Sequence, residues 1–314
     1  MKNKKALAAA ILAAVTLGVS APAFAAHSDA SVATEAPMVV AGPQAGDITW
    51  SGEWRYRWFN ADNGVMDNDD KDSRLRITAN VNLTDNLSAK VRFADLRTSD
   101  ADTKSSLIDQ YSLTYKFADN KTSVTVGKDD VWLGNGLLMD NFFKSGQVKT
   151  TIGSVGVTAF TGHHAADDDL SGAGVTFKSG KVDLGVNYVK YDDLDLKATS
   201  INANYKVGKV AFGAEIGEFE DAASTTASTA LVTATIGELN KKGDCNYTIS
   251  YYKVPVAGGA PLILDTTLDV IDSKGIIVGV NHKFSNILTG TLEKHFNSGV
   301  IDADLTRLTL TAKF

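Results

Sequence analysis

The sequence predicts an all-β fold, a transmembrane antiparallel up-and-down β-barrel of about 16 strands. Three observations predict it. Apolar and polar residues alternate through segments of about ten residues. Short connections between these segments alternate with long ones, and aromatic residues lie near the segment ends. Lipid-facing and water-facing residues alternate in this way along the strands of membrane barrels.

The first 46 residues are predicted to lie outside this barrel. Three lysines among the first five residues precede an apolar run over 6–18 and small residues ending at Ala25. That order is typical of a secretory signal peptide, here 1–25. Residues 26–46 keep no sustained period and predict a flexible tail. The barrel is therefore assigned to 47–314.

Composition excludes several other classes of protein. A formal net charge of −6 argues against a nucleic-acid partner. The single cysteine, Cys245, permits no disulfide within the chain. No segment after the signal peptide approaches a run of about 18 apolar residues, so a membrane would have to be crossed by β-strands.

The first strand shows the alternation most clearly, in "ITWSGEWRYRW" at 48–58. Trp54 and Tyr56 fall on one face, and Arg55 and Arg57 fall on the other. Lipid outside a barrel and water inside it would satisfy both faces at once.

The same pattern continues to the end of the chain. Strand-forming runs begin near residues 48, 74, 87, 110, 121, 146, 155, 172, 181, 197, 210, 230, 245, 275, 287 and 305. The long connections are predicted at 60–73, 128–145 and 254–274. No helical period competes with this reading.

Aromatic residues are sorted by strand parity. Even-numbered strands end in Phe117, Phe177, Tyr205, Phe284 and Phe314. Odd-numbered strands carry theirs toward the opposite end of the barrel. Two aromatic girdles at the two membrane interfaces would produce this distribution.

These features together resemble Gram-negative outer-membrane porins of the general diffusion type. The matching features are the signal peptide, the even-stranded pattern and the last strand "LTRLTLTAKF", which ends in Phe314. The resemblance implies a multi-pass barrel in outer-membrane lipid and a homotrimer, which small residues expected to face lipid (Ala159, Ala173, Ala198) support weakly. It also implies that Phe314 is an assembly signal for the barrel-assembly machinery.

The resemblance further implies that the third extracellular loop folds inward. In porins the connection after the fifth strand narrows the pore, and here that place is taken by 127–146. Asp129, Asp130, Trp132 and Asp140 are the expected constriction residues. The Pro-Glu-Phe-Gly-Gly run of enterobacterial general porins is absent, which leaves individual constriction residues open.

Six basic residues on the first three strands are expected to line the pore. They are Arg55, Arg57, Arg74, Arg76, Lys90 and Arg92. Opposed to the acidic residues of the third loop, they would set a transverse electric field that orients polar solutes. The simpler alternative is that a water-filled interior needs polar side chains of any kind.

The function expected from this reading is a water-filled channel for passive diffusion of ions and small hydrophilic solutes. One alternative is a substrate-selective channel. The other is a plugged structural or adhesive barrel, to which the connection at 254–274 could offer a binding surface. No enzyme motif, cofactor or metal site is expected.

Overall fold

The computed structural model describes residues 46–62, 67–98, 108–164, 168–192, 195–254, 273–299 and 304–314. The strands are β1 (Ile48–Asp62), β2 (Asp67–Asn82), β3 (Leu87–Thr98), β4 (Ile108–Lys116), β5 (Ser123–Leu133), β6 (Met139–Ile152), β7 (Val155–His164), β8 (Asp168–Ser179), β9 (Val182–Tyr191), β10 (Leu196–Val207), β11 (Val210–Glu220), β12 (Thr226–Gly237), β13 (Cys245–Val254), β14 (Ser273–Lys283), β15 (Leu288–Gly299) and β16 (Asp304–Lys313). The predicted signal peptide and all but the last residue of the predicted tail lie outside the described residues.

The strands form one closed antiparallel barrel in up-and-down order. Each strand pairs with its neighbours in the chain, and β1 pairs with β16, where Trp54 lies opposite Ala312 and Tyr56 opposite Leu310. The fold class and the strand number predicted from the sequence are confirmed. Closure leaves no strand edge unpaired, the condition that hydrocarbon imposes on a sheet.

The outer face of the barrel is apolar. On β9 the exposed residues are Leu184, Val186 and Tyr188, whereas Asn187 and Val189 between and beside them are buried. Successive side chains of a strand point to opposite faces, so the exposed set faces outward and the buried set inward. The residues paired with them on β8 and β10 divide in the same way, since Val186 lies opposite the exposed Val175 and Ile201. In the part of the chain that the structure describes, no helix is long and apolar enough to span a membrane.

A cluster of buried apolar residues lies inside the barrel, and we call it the inner apolar cluster. Its members are Val131, Leu133, Leu137, Leu138, Met139, Phe143, Phe160, Leu170, Val189, Tyr191, Leu196, Ala198, Phe219, Tyr252, Val254 and Ile277. The expectation that Ala198 faces lipid is wrong. It is 1% exposed and lies opposite Val189 and Phe219 on the inner face, so it does not face lipid.

Two of the predicted long connections are largely strand. β1 and β2 remain paired as far as Asp62 and Asp67, within the connection predicted at 60–73. The connection predicted at 128–145 is a hairpin whose paired strands reach Leu133 and Met139. Polar and glycine residues weakened the strand signal there, but the backbone ladder does not depend on side-chain hydropathy. Residues 255–272, most of the third predicted connection, lie outside the described residues.

Short turns are closed by aspartate side chains. Asp119, between β4 and β5, accepts hydrogen bonds from the backbone N–H groups of Lys121 at 2.9 Å and Thr122 at 3.1 Å. Asp244, before β13, accepts one from the backbone of Lys241 at 3.0 Å. These bonds stabilise the carboxylates, so they lower the pKa of Asp119 and the pKa of Asp244. Such turns fix the register of the strands that they join.

Candidate functional site

The six basic residues predicted to line a pore lie together on the inner face of β1, β2 and β3. We call Arg55, Arg57, Arg74, Arg76, Lys90 and Arg92 the basic patch. The register brings them together, because Arg55 lies opposite Arg74 and the next inner rungs pair Arg57 with Asp72 and Glu53 with Arg76. Their side chains are between 11% and 26% exposed.

Two carboxylates form ion pairs with the β1–β2 part of the basic patch. Asp72 lies 2.5 Å from Arg57 and 3.4 Å from Arg55, and its side chain is 5% exposed. Glu53 lies 2.5 Å from Arg74. Asp72 was not expected here, because its segment reads as a polar loop in the sequence. Its position on β2 places it on the inner wall.

A third carboxylate, Asp109, serves the β3 side of the basic patch. Arg92 donates to both of its oxygens at 2.8 Å, and the Nε atom of Arg76 lies at 3.5 Å. A register shift puts Asp109 inward, since β3 residues Arg92 and Phe93 pair with Gln110 and Ile108. Asp109 is the extra residue of this bulge, which interrupts the alternation that the sequence analysis relied on.

The expected constriction acids lie beside the basic patch rather than across from it. Asp129 on β5 forms an ion pair with Lys90 and accepts a hydrogen bond from Ser112 at 2.7 Å. Asp130 lies 3.9 Å from Lys90 and accepts from Gln110 at 2.6 Å. Only β4 separates β3 from β5 in the sheet. The charges of this region are thus paired along the wall.

Trp132 and Asp140 lie opposite each other in the ladder between β5 and β6. The indole N–H of Trp132 donates to the carbonyl of Gly134 at 2.9 Å. Its ring also covers Gly136, where an added Cβ would come within 2.7 Å of a ring carbon. Trp132 therefore braces the turn at 134–138, which we call the hairpin tip.

The hairpin tip contacts the inner wall at β10 and β11, strands that are not adjacent to β5 or β6. Glu215 accepts hydrogen bonds from the backbone N–H groups of Asn135 at 2.7 Å and Leu137 at 3.1 Å. It also accepts one from the Ser200 hydroxyl at 2.6 Å, and Asn204 donates to the Asn135 side chain at 2.8 Å. Glu215 is fully buried. Alternation along the sequence places Glu215 on the inner face, but no pattern in the sequence predicts its contact with the hairpin tip.

Phe314 joins the two ends of the barrel. Gly52 donates to the Phe314 carbonyl at 2.6 Å, and Phe314 donates to the Gly52 carbonyl at 3.0 Å. An added Cβ on Gly52 would overlap the Phe314 ring, so the glycine makes room for it. Within the described ranges, no group of three histidine, cysteine or acidic residues is placed to hold a metal ion.

Solved porin structures share this fold. Salmonella typhi OmpF, in complex with daunomycin, has a TM-score of 0.61 and 11% identity over 86% of this chain and 98% of its own. Vibrio cholerae OmpT lacking loop L8 has a TM-score of 0.58 and 14% identity over 86% of this chain and 100% of its own. A triple mutant of Rhodopseudomonas blastica porin has a TM-score of 0.61 and 12% identity over 85% of this chain and 100% of its own. No protein-family model and no curated protein sequence matches the chain significantly. At these identities the likeness establishes the porin barrel fold.

Proposed function

We propose that this chain is a porin of the Gram-negative outer membrane. It would form a water-filled channel through which ions and small hydrophilic solutes diffuse passively. One observation carries the proposal: the closed sheet is apolar on its outside and carries charged side chains on its inside. A membrane barrel that conducts ions needs both faces.

The outer face supports a lipid environment. Val186, Ile236 and Ile249 are each more than half exposed, and they belong to a much larger set of exposed apolar side chains around the barrel. An exposed apolar surface of this extent would drive aggregation in water. Hydrocarbon accepts it, provided that the sheet is closed.

The inner wall supports an off-centre water path. The inner apolar cluster draws its residues from strands between β5 and β14, and the hairpin tip contacts β10 and β11, whereas the partly exposed basic patch lies on β1 to β3. We place the conducting path between the basic patch and the β5–β6 hairpin, which would act as the constriction. Ion pairs along the wall would keep the transverse field short-ranged.

Assembly belongs to the same proposal. The resemblance to porins supports a homotrimer and recognition of β16 by the barrel-assembly machinery. Phe314 is accessible for such recognition, since it is 63% exposed at the end of the closing strand.

The inner apolar cluster favours one rival, a barrel that is plugged and serves a structural or adhesive role. Planar bilayer recording separates the two. For the channel we expect stepwise current increases when the folded protein is added to a bilayer in potassium chloride, and none with a heat-denatured sample. Folded protein that inserts without any current steps would refute the channel and favour the plugged barrel.

Solute entry distinguishes general diffusion from selective uptake. For general diffusion we expect the rate of liposome swelling to fall smoothly with sugar size and to rise linearly with sugar concentration. Saturation by one sugar would instead indicate a substrate-selective channel.

A further inference from the structure

Two arginines of the basic patch lie directly opposite each other. Arg55 on β1 and Arg74 on β2 form one rung of the ladder, and both side chains are 17% exposed. Like charges directly opposite on paired strands are destabilising. A rung of this kind therefore calls for an explanation other than stability of the sheet.

The hydrogen bonds of this rung are also incomplete. Among the described residues, the Nε atoms of Arg55 and Arg74, and that of Arg76 on the next rung, are buried and make no hydrogen bond, although the Arg76 atom lies 3.5 Å from Asp109. Buried donors without a partner are rare and costly. Within the described part of the chain, the carboxylate that pairs with Arg55 is Asp72, at 3.4 Å, and Asp72 lies closer to Arg57.

The charge balance around the rung is positive. Within the described ranges, five guanidinium groups share three carboxylates through the ion pairs given above; the cations are Arg55, Arg57, Arg74, Arg76 and Arg92, and the anions are Glu53, Asp72 and Asp109. Lys90 has Asp129 as a separate partner. The five guanidinium groups thus carry two positive charges more than their three partners, and Lys313, opposite Glu53, adds a further cation.

We propose that Arg55, Arg74 and Arg76 form a binding site in the channel for a small oxyanion with two negative charges, of the phosphate type. Guanidinium groups present several N–H donors in a plane and bind oxyanions through more than one of them. Arg76 completes the site because it lies on the next inner rung, opposite Glu53. This inference rests on the proposed channel function and names a solute class for it.

Inorganic phosphate is the probe for this site. Chloride current through the folded protein is recorded in a planar bilayer at about pH 8, where a phosphate group carries close to two negative charges. We expect added phosphate to reduce the chloride current to a plateau, because a bound dianion obstructs the path. The expected increase in the half-blocking phosphate concentration is about tenfold or more for Arg55→Gln and for Arg74→Gln, since each removes a charged hydrogen-bond donor.

Arg307→Gln is the matched control. Arg307 also lies on the inner wall, but it is fully engaged by Glu293, to which its Nε and Nη2 atoms both lie at 2.7 Å. The substitution Arg307→Gln therefore removes one inner positive charge without touching the site. The half-blocking phosphate concentration should stay within about twofold of the wild-type value. Arg74→Lys keeps the charge but loses the planar donors, so it should weaken the block as well.

Each outcome separates the inference from the proposed function. The chloride current of every variant shows that it has folded and inserted. Chloride current without a saturating phosphate block would overturn the site and leave the channel standing, as would an equal shift in Arg307→Gln. Folded protein that carries no chloride current would overturn the channel itself.

Discussion

Glu215 is a buried carboxylate whose oxygens hold the hairpin tip against the inner wall. It accepts from Asn135, Leu137 and Ser200. A hydrogen bond to a charged group contributes about 1.5–3 kcal/mol, and removing the acceptor leaves buried donors without partners. Glu215 therefore ties two backbone groups of the tip to the inner wall.

We expect Glu215→Ala to free the hairpin tip, which would increase both single-channel conductance and open-channel noise in a planar bilayer. Glu215→Gln should stay near the wild type, because its amide oxygen can still accept from Asn135 and Leu137. Asp183→Ala is the matched control, since Asp183 is also an inner carboxylate but pairs with Lys178, at 3.8 Å. Equal noise in the two alanine variants would contradict the role of Glu215.

Sequence reasoning at the residue scale found the basic patch but missed two of its acidic partners, Asp72 and Asp109. Strict alternation places Arg55 and Arg74 inward without knowledge of the fold. Asp109 escapes that rule because it sits in a bulge, and Asp72 escapes it because its polar neighbours read as a loop. Contacts such as those of Glu215 join distant strands, and no local pattern encodes them.

The β5–β6 hairpin is the element that sets the interior apart from an evenly lined barrel. Gly134 and Gly136 at its tip have φ values of 60° and 85°, a region that favours glycine. At Gly134 an added Cβ would lie 2.6 Å from both the Asn187 amide nitrogen and a Glu215 carboxylate oxygen. Both the backbone conformation and the space at this position therefore require glycine.

Gly134→Ala tests that requirement against a matched glycine. Gly153, between β6 and β7, has a φ of 61° and no atom within 4 Å of an added Cβ. We expect Gly153→Ala to lower the free energy of unfolding by only about 1–2 kcal/mol, the cost of the left-handed backbone. Gly134→Ala should lower it further and raise the conductance, because the tip must move. Urea titration in lipid vesicles measures the first effect, and equal losses would contradict the crowded site.

At the element scale, the sequence predicted strands well wherever lipid enforces alternation. β9 and β13 carry regular outward apolar residues, and they begin where the pattern begins. The extensions of β1, β2, β5 and β6 lack that signal, since their ladders continue past the regular apolar segments. Backbone pairing alone defines those parts of the strands, and pairing is visible only in the structure.

The barrel as a whole has an apolar outer surface, whereas the outer surface of a soluble barrel is polar. It also keeps a packed apolar cluster inside. The outward belt includes Leu75, which is 39% exposed, and the next residue is Arg76, whose side chain is 19% exposed on the inner wall. If lipid surrounds the barrel and water fills the path inside it, these chain neighbours occupy different solvents. That contrast depends on the closed sheet as a whole and on no single contact.

Spin labels at positions 75 and 76 measure the contrast directly, in a Cys245→Ser background that removes the native thiol. In lipid vesicles we expect the label at Leu75 to collide more with oxygen, which concentrates in hydrocarbon, and the label at Arg76 to collide more with a water-soluble nickel chelate. The side chains alternate between the two faces, so a shift of one residue must invert the ratio of the two collision rates. A label at Ile77, which is 38% exposed, should return to the behaviour of Leu75. Equal ratios at all three positions would mean that the two faces share one solvent, and a channel through the barrel would then be excluded.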